Sequence, residues 1–80
     1  MTRTTRKDLD QLATIITNRY HAHGSPLNVR IESAYGHPRA ELYDGDTCEH
    51  NITSRDRAGI VYMQLLAYNE GLRSGLSFRS

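Results

Sequence analysis

The sequence lacks several features that define large classes of proteins. It has one cysteine, Cys48, and no tryptophan. A single cysteine cannot form an internal disulfide, which excludes the disulfide-rich secreted mini-proteins and suits a reducing cytosol. No apolar run approaches the roughly 18 residues of a membrane-spanning helix, and residues 1–7 are not followed by a signal-peptide core. We therefore expect a soluble, cytoplasmic protein that does not bind membranes.

Motifs for catalysis and cofactor binding are also missing. The chain has no phosphate-binding loop, nucleophile elbow, dinucleotide fingerprint or zincin motif. The remaining candidate ligand motifs are His21-x-His23, Cys48-x-His50 and Asp44-Gly45-Asp46. The first two differ from the spacing of structural zinc sites, and the third lacks the later oxygen ligands of a calcium loop. We interpret them as surface imidazoles, a buried thiol and a turn, and expect no metal, no cofactor and no enzyme activity.

Eighty residues are enough for one small domain. A chain of this size buries only about 60% of the surface that its unfolded form exposes, so its core is thin. Small scaffolds without disulfides commonly gain stability by oligomerisation or by binding a partner. Either is a reasonable expectation here.

Charge is distributed unevenly along the chain. The formal net charge is +1, from +2 in residues 1–26, −3 in residues 27–51 and +2 in residues 52–80. A total so close to neutral does not by itself indicate nucleic-acid or membrane binding. We interpret the pattern as an ordinary solvated surface.

The first third of the chain has the pattern of an amphipathic helix. Thr5-x-x-Asp8 fits a capping box, in which each side chain satisfies an unpaired backbone N–H of the first turn. The apolar stripe after it has three- and four-residue steps and consists of Leu9, Leu12, Ala13, Ile16 and Tyr20. Gly24 and Pro26 then predict the end of the helix.

The middle of the chain changes to a period of two, which is typical of strands with one buried face. Leu27, Val29 and Ile31 alternate with polar residues, and residues 39–43 form a second such run. Asp44-Gly45 predicts a type I′ hairpin turn. We expect a third strand over residues 47–52, with Cys48, His50 and Ile52 on one face.

Residues 52–72 carry the pattern of a second helix. Thr53 or Ser54 is expected to cap it, since Thr53-x-x-Asp56 fits a second capping box, and Gly71 is expected to end it. Its apolar stripe consists of Ala58, Val61, Tyr62, Leu65, Tyr68 and Leu72. The sequence therefore predicts one α+β domain over residues 1–72. Its order is α-β-β-β-α, a three-stranded antiparallel meander with both amphipathic helices packed on one face, followed by a tail of residues 73–80.

The basic start of the second helix supports one functional hypothesis. Helix, three strands, helix is also the element order of double-stranded-RNA-binding domains, which place basic residues at this position. Arg55 and Arg57 occupy it here, but Asp56 lies between them and the middle of the chain is acidic. Nucleic-acid binding is therefore the alternative, with solvated arginines at a helix start as the simpler interpretation.

Apolar and aromatic residues outside the expected core support another hypothesis. The chain has five tyrosines, of which Tyr35 and Tyr43 lie outside the predicted helices. The second helix carries a further apolar ridge at Ile60, Met63 and Ala67. Such residues are enriched at protein interfaces, and a helix that is apolar on two sides usually has two neighbours. A protein partner is expected, and a homodimer is one form of it.

Three segments of the sequence also resemble a known group of proteins. They are MTRTTRKDLDQLA in residues 1–13, SAYG in residues 33–36 and AYNEGL in residues 67–72. Together they resemble small accessory proteins of tailed bacteriophages. The resemblance implies a phage product made in the bacterial cytoplasm and assigns no functional residue. Our first hypothesis is a non-enzymatic phage-type accessory protein that binds a host or phage macromolecule, in the first place a protein.

Overall fold

The computed structural model describes residues 4–79, and the side chains of residues 4–74. It contains helix α1 (Arg6–Ala22), strands β1 (Leu27–Ala34), β2 (His37–Asp44) and β3 (Thr47–Asn51), and helix α2 (Ala58–Arg79). The strands form one antiparallel sheet in the order β1-β2-β3. The predicted α-β-β-β-α fold with a three-stranded meander is confirmed.

Helix α1 begins and ends as the sequence predicts. The backbone N–H of Thr5 donates to the Asp8 carboxylate at 2.8 Å, and the Asp8 N–H donates to the Thr5 hydroxyl at 3.4 Å. At the other end Gly24 has φ +81°, which glycine adopts without steric penalty. The N–H of Gly24 donates to the carbonyl of His21, and that of Ser25 to the carbonyl of Tyr20, both at 3.0 Å. These two bonds form a Schellman motif.

Both helices pack on the same face of the sheet, α1 mainly on β1 and α2 on β2. The helices run in the same direction. Thr4 approaches the first turn of α2 at Gly59, while at the other end the Tyr20 and Tyr68 hydroxyls share a hydrogen bond. The core between the layers consists of Leu9, Leu12, Ala13, Ile16, Tyr20, Val29, Ile31, Ala40, Leu42, Val61 and Leu65. All five residues of β3 are exposed, because the two helices cover the other strands.

The turns and the third strand differ from the prediction. The β2–β3 turn is centred on Gly45-Asp46, not Asp44-Gly45, and only Gly45 has positive φ, as in a type II′ turn. A register shift in the pairing sets Tyr43 opposite Cys48 but Leu42 opposite His50. Because paired residues share a face, this bulge puts Cys48 and His50 on opposite faces. The expectation that they share one face is wrong, and the thiol is exposed, not buried.

The start of α2 also differs from the prediction. Residues 52–57 form an irregular segment because Thr53 is buried and holds β2: its hydroxyl accepts from the Ala40 N–H at 3.0 Å. Thr53 therefore cannot cap the helix, and the Asp56 carboxylate accepts instead from the N–H of Arg57 at 2.7 Å. The first turn of α2 then closes with the Val61 N–H donating to the Arg57 carbonyl at 3.0 Å.

Helix α2 does not end at Gly71. Its backbone remains helical to Arg79, so residues 73–79, predicted as a tail, are its last turns, and Ser80 lies outside the described residues. Gly71 does not have positive φ, so it forms no left-handed cap. Leu72 packs against the core immediately afterwards, which holds the chain in the helix across the glycine.

Candidate functional site

Three of the five large apolar side chains that are exposed among the described residues lie on α2. Ile60 is 42% exposed and Met63 is 68% exposed. Steps of three and four residues continue the line from these two side chains along the helix, through three small and exposed residues: Ala67, Gly71 and Ser74. We call these five positions the α2 ridge.

The α2 ridge faces away from the core. At 100° per residue it lies roughly opposite the buried stripe that includes Val61 and Leu65, both of which are fully buried. None of its five positions is charged. Leu66, 41% exposed, lies next to Met63 on the side of the helix nearer to α1. The structure therefore brings the predicted residues Ile60 and Met63 together on one exposed apolar strip.

Sequence reasoning missed the second half of this ridge. The sequence pattern predicts a helix end at Gly71 and a tail at Ser74, so neither position is expected on a helical face. The signal was present, because the three- and four-residue steps from Ile60 continue through both positions. Leu66 was also missed as an exposed residue.

Arg55 and Arg57, predicted as binding residues at the start of the second helix, have different environments. The Arg55 guanidinium donates to the His37 carbonyl at 2.9 Å and to the Glu32 carbonyl at 3.5 Å. It therefore fastens the segment before α2 to the end of the β1–β2 hairpin. Arg57 is exposed. Of these two arginines, only Arg57 has a side chain that is directed at solvent and makes no hydrogen bond to a backbone carbonyl of the sheet.

Arg6, at the same end of the molecule, is also engaged within the fold. Arg6 donates to the Ile31 carbonyl at 2.7 Å and to the Ser33 hydroxyl at 2.9 Å, and pairs with Asp10 at 3.0 Å. A guanidinium that already donates to carbonyls and to a carboxylate has fewer N–H donors and less unpaired charge available for a phosphate. The arrangement gives weak support to a nucleic-acid interface.

Tyr35 and Tyr43, the predicted aromatic contacts, lie in separate places. Tyr35 is 94% exposed and occupies the β1–β2 turn with φ +54°. Tyr43 lies on the sheet face opposite the helices, where the Arg30 guanidinium stacks over its ring at 4.3 Å. They do not form one aromatic patch.

Tyr43 belongs to a polar network on this open face of the sheet. Its hydroxyl donates to the Glu41 carboxylate at 3.0 Å, and Arg39 Nε donates to the same carboxylate at 2.9 Å. The hydrogen bond to Glu41, followed by burial, raises the pKa of Tyr43 above its ordinary value. Although it lies on the open face, Glu41 is only 5% exposed, because these side chains cover it. The network satisfies its own members and presents no unpaired group.

The described residues do not support a metal site or a reaction in a cavity. No group of three or more histidine, cysteine or acidic side chains is placed to hold a metal ion there. The Cys48 thiol makes only a long contact of 4.0 Å with the His50 carbonyl. A depression beside α1 is lined by Lys7, Asp10, Gln11, Thr14 and Ile15, all from one helix, and is open to solvent.

Comparisons with known proteins give no family for the chain. No family model, no curated protein and no solved structure matches it. Within the described part of the chain, no helix combines the length and apolar character required to cross a bilayer.

Proposed function

We propose that this chain is a non-enzymatic protein-binding module that contacts its partner through the α2 ridge. A phage accessory protein that acts on a host or phage protein fits this description. The observation that supports it is the exposure of Ile60 and Met63 on one uncharged strip. Single exposed apolar residues are common on protein surfaces, whereas a contiguous apolar strip marks an interaction site.

The size of the domain strengthens this argument. A chain of 80 residues has few large apolar side chains, and burying each one stabilises the fold by about 1.5–3 kcal/mol. Leaving Ile60, Met63 and Leu66 at the surface sacrifices that stabilisation. Binding a partner over the ridge recovers it, because apolar surface is then removed from water.

The length of α2 is a second supporting feature. Among the side chains that the structure describes, Leu72 is the last one packed against the core, yet the helix continues to Arg79. Those seven residues extend about 10 Å at 1.5 Å per residue. Because most helical stability in proteins comes from packing, a partner along α2 would also stabilise these last turns.

Site-specific photo-crosslinking in cells tests the proposal. A photoreactive amino acid at Met63 is expected to form a covalent adduct with a protein, which mass spectrometry then identifies. The matched control places the same amino acid at Gln11, which is exposed on α1. We expect an adduct from position 63 that is lost when Ile60→Glu is added. Adducts of equal yield from both positions, or from neither, would contradict the proposal.

Nucleic-acid binding is the competing outcome, and electrophoretic mobility shifts with duplex RNA and DNA distinguish it. Phosphate contacts make affinity fall steeply with salt. The proposal expects no shift at low salt. A salt-sensitive shift that Arg57→Glu abolishes and Ile60→Glu leaves intact would favour the nucleic-acid function instead.

A further inference from the structure

We infer that the partner on the α2 ridge is a second copy of this chain, with the two α2 helices crossing antiparallel about a two-fold axis at Ala67. This inference rests on the proposed function, because it names the occupant of the same surface. In a two-fold interface the same patch serves both copies, so the patch must complement itself. The order of large and small residues along the ridge has this property.

Ala67 is the midpoint of two pairs of ridge positions. It lies four residues from both Met63 and Gly71, and seven residues from both Ile60 and Ser74. An antiparallel crossing at Ala67 therefore brings Met63 of one copy level with the second copy's Gly71, and Ile60 level with the second copy's Ser74. Each large side chain meets a small residue, and alanine at the axis allows close approach of the two helices.

Gly71 supplies an independent reason for a close neighbour. Glycine in a helix interior is destabilising relative to alanine, so it needs an explanation. Among the described residues of the single chain there is none: the φ of Gly71 is not positive, and a Cβ added there would meet no described atom beyond its own helical turn within 4 Å. A methionine from a second helix requires this space, whereas the isolated domain does not.

The absence of charge on the ridge favours the same occupant. In a two-fold crossing, residues close to the axis lie near the same residues of the second copy, so a charge close to the axis would be near a like charge. The five ridge positions carry none; the nearest charge on the exposed side of α2 is Glu70, which borders the ridge three residues from Ala67, followed by Arg73. These two already lie 3.9 Å apart within one copy.

A size-swap experiment tests this geometry. Sedimentation velocity over a concentration series is expected to show the wild-type chain passing from monomer to dimer at micromolar concentrations, because an interface made by one helix is small. Gly71→Met is expected to abolish dimerisation while the circular dichroism spectrum is retained and the unfolding midpoint of the monomer does not fall, because methionine favours a helix interior more than glycine does. The double variant M63G/G71M exchanges the large and small partners and is expected to restore the dimer.

Oxidative crosslinking provides a second measurement that does not depend on these variants. In a Cys48→Ser background, Ala67→Cys places two thiols at the proposed axis, close enough for a disulfide between copies. The control Gln11→Cys places a thiol on the exposed face of α1. We expect rapid covalent dimer formation from position 67 alone.

The outcomes separate this inference from the proposed function. A chain that stays monomeric at all concentrations, with no disulfide at position 67, overturns the inference. If photo-crosslinking at Met63 then yields a different protein, the proposed function stands. A dimer that forms but is unaffected by Gly71→Met also overturns the inference, because the contact would lie elsewhere.

Discussion

Glu41 is a carboxylate on the sheet face that no helix covers, yet it is almost completely buried. Its position results from its neighbours along β2, since residues two apart in a strand share a face. Arg39 and Tyr43 both donate to it, and Arg30 lies over the Tyr43 ring. Charge-assisted hydrogen bonds of this kind compensate for the water that the carboxylate loses.

The titration of Tyr43 tests this network. The hydrogen bond to Glu41 raises the pKa of the folded Tyr43 above 10.0, the ordinary value of tyrosine. This raised pKa stabilises the folded state. The stabilisation is complete below about pH 10 and is lost as the pH rises through the pKa of Tyr43 in the folded protein. Glu41→Gln removes the negative charge and keeps the shape, so we expect an ultraviolet absorbance titration to show a lower pKa for Tyr43. Glu49→Gln on exposed β3 is the control and should leave the titration unchanged.

The hydroxyl pair of Tyr20 and Tyr68 is a second feature with a measurable energy. Burial, and next the hydrogen bond to Tyr68, raises the pKa of Tyr20 well above its ordinary value. Tyr20→Phe leaves the Tyr68 hydroxyl without its partner, and we expect a loss of about 1–3 kcal/mol in the free energy of unfolding. The double variant Y20F/Y68F should lose less than the sum of the two single variants in urea unfolding. Strict additivity would show that the pair contributes nothing.

At the scale of elements, the two glycines near the ends of the helices have opposite roles. Gly24 has φ +81° and completes the Schellman motif after α1, whereas Gly71 lies inside α2 without positive φ. A sequence pattern of apolar residues ending in glycine cannot distinguish these cases. The residues after each glycine distinguish them, because Pro26 prevents α1 from continuing, while Leu72 holds α2 against the core.

Substitution by alanine distinguishes the two roles by sign. Gly71→Ala is expected to stabilise the monomer by about 0.5–1 kcal/mol, because alanine favours a helix interior. Gly24→Ala is expected to destabilise it by about 1 kcal/mol, because a side chain disfavours positive φ. Thermal unfolding at concentrations below those at which the chain dimerises measures both. A loss of stability in Gly71→Ala would mean that α2 ends there.

At the scale of the whole molecule, the local patterns determined most of the fold. The capping box at Thr5, the alternation from Leu27 and the stripe through Val61 and Leu65 each predicted the correct element and its buried face. They could do so because helix and strand periodicity are properties of neighbouring residues. Together these local sequence patterns give the α-β-β-β-α order.

Several of the features that were missed depend on contacts between distant residues. Thr53 fits a capping box in the sequence, but in the fold its hydroxyl binds the backbone of Ala40, thirteen positions away. The exposure of β3 likewise depends on how two helices cover three strands. The phage resemblance stays a prediction, because no family model, curated protein or solved structure matches the chain.

The central packing between α2 and the sheet determines whether the whole domain is stable. A domain of 80 residues has roughly 4–12 kcal/mol of stability at about 0.05–0.15 kcal/mol per residue. Leu65 is fully buried and its neighbour Leu66 is 41% exposed, so the two form a matched pair on one helix. Leu65→Ala is expected to reduce the free energy of unfolding by about 2–5 kcal/mol, enough to unfold a large fraction of the protein, whereas Leu66→Ala should change it by less than about 1 kcal/mol. Equal losses in urea unfolding monitored by circular dichroism would show that α2 is not oriented with Leu65 toward the sheet and the α2 ridge toward solvent.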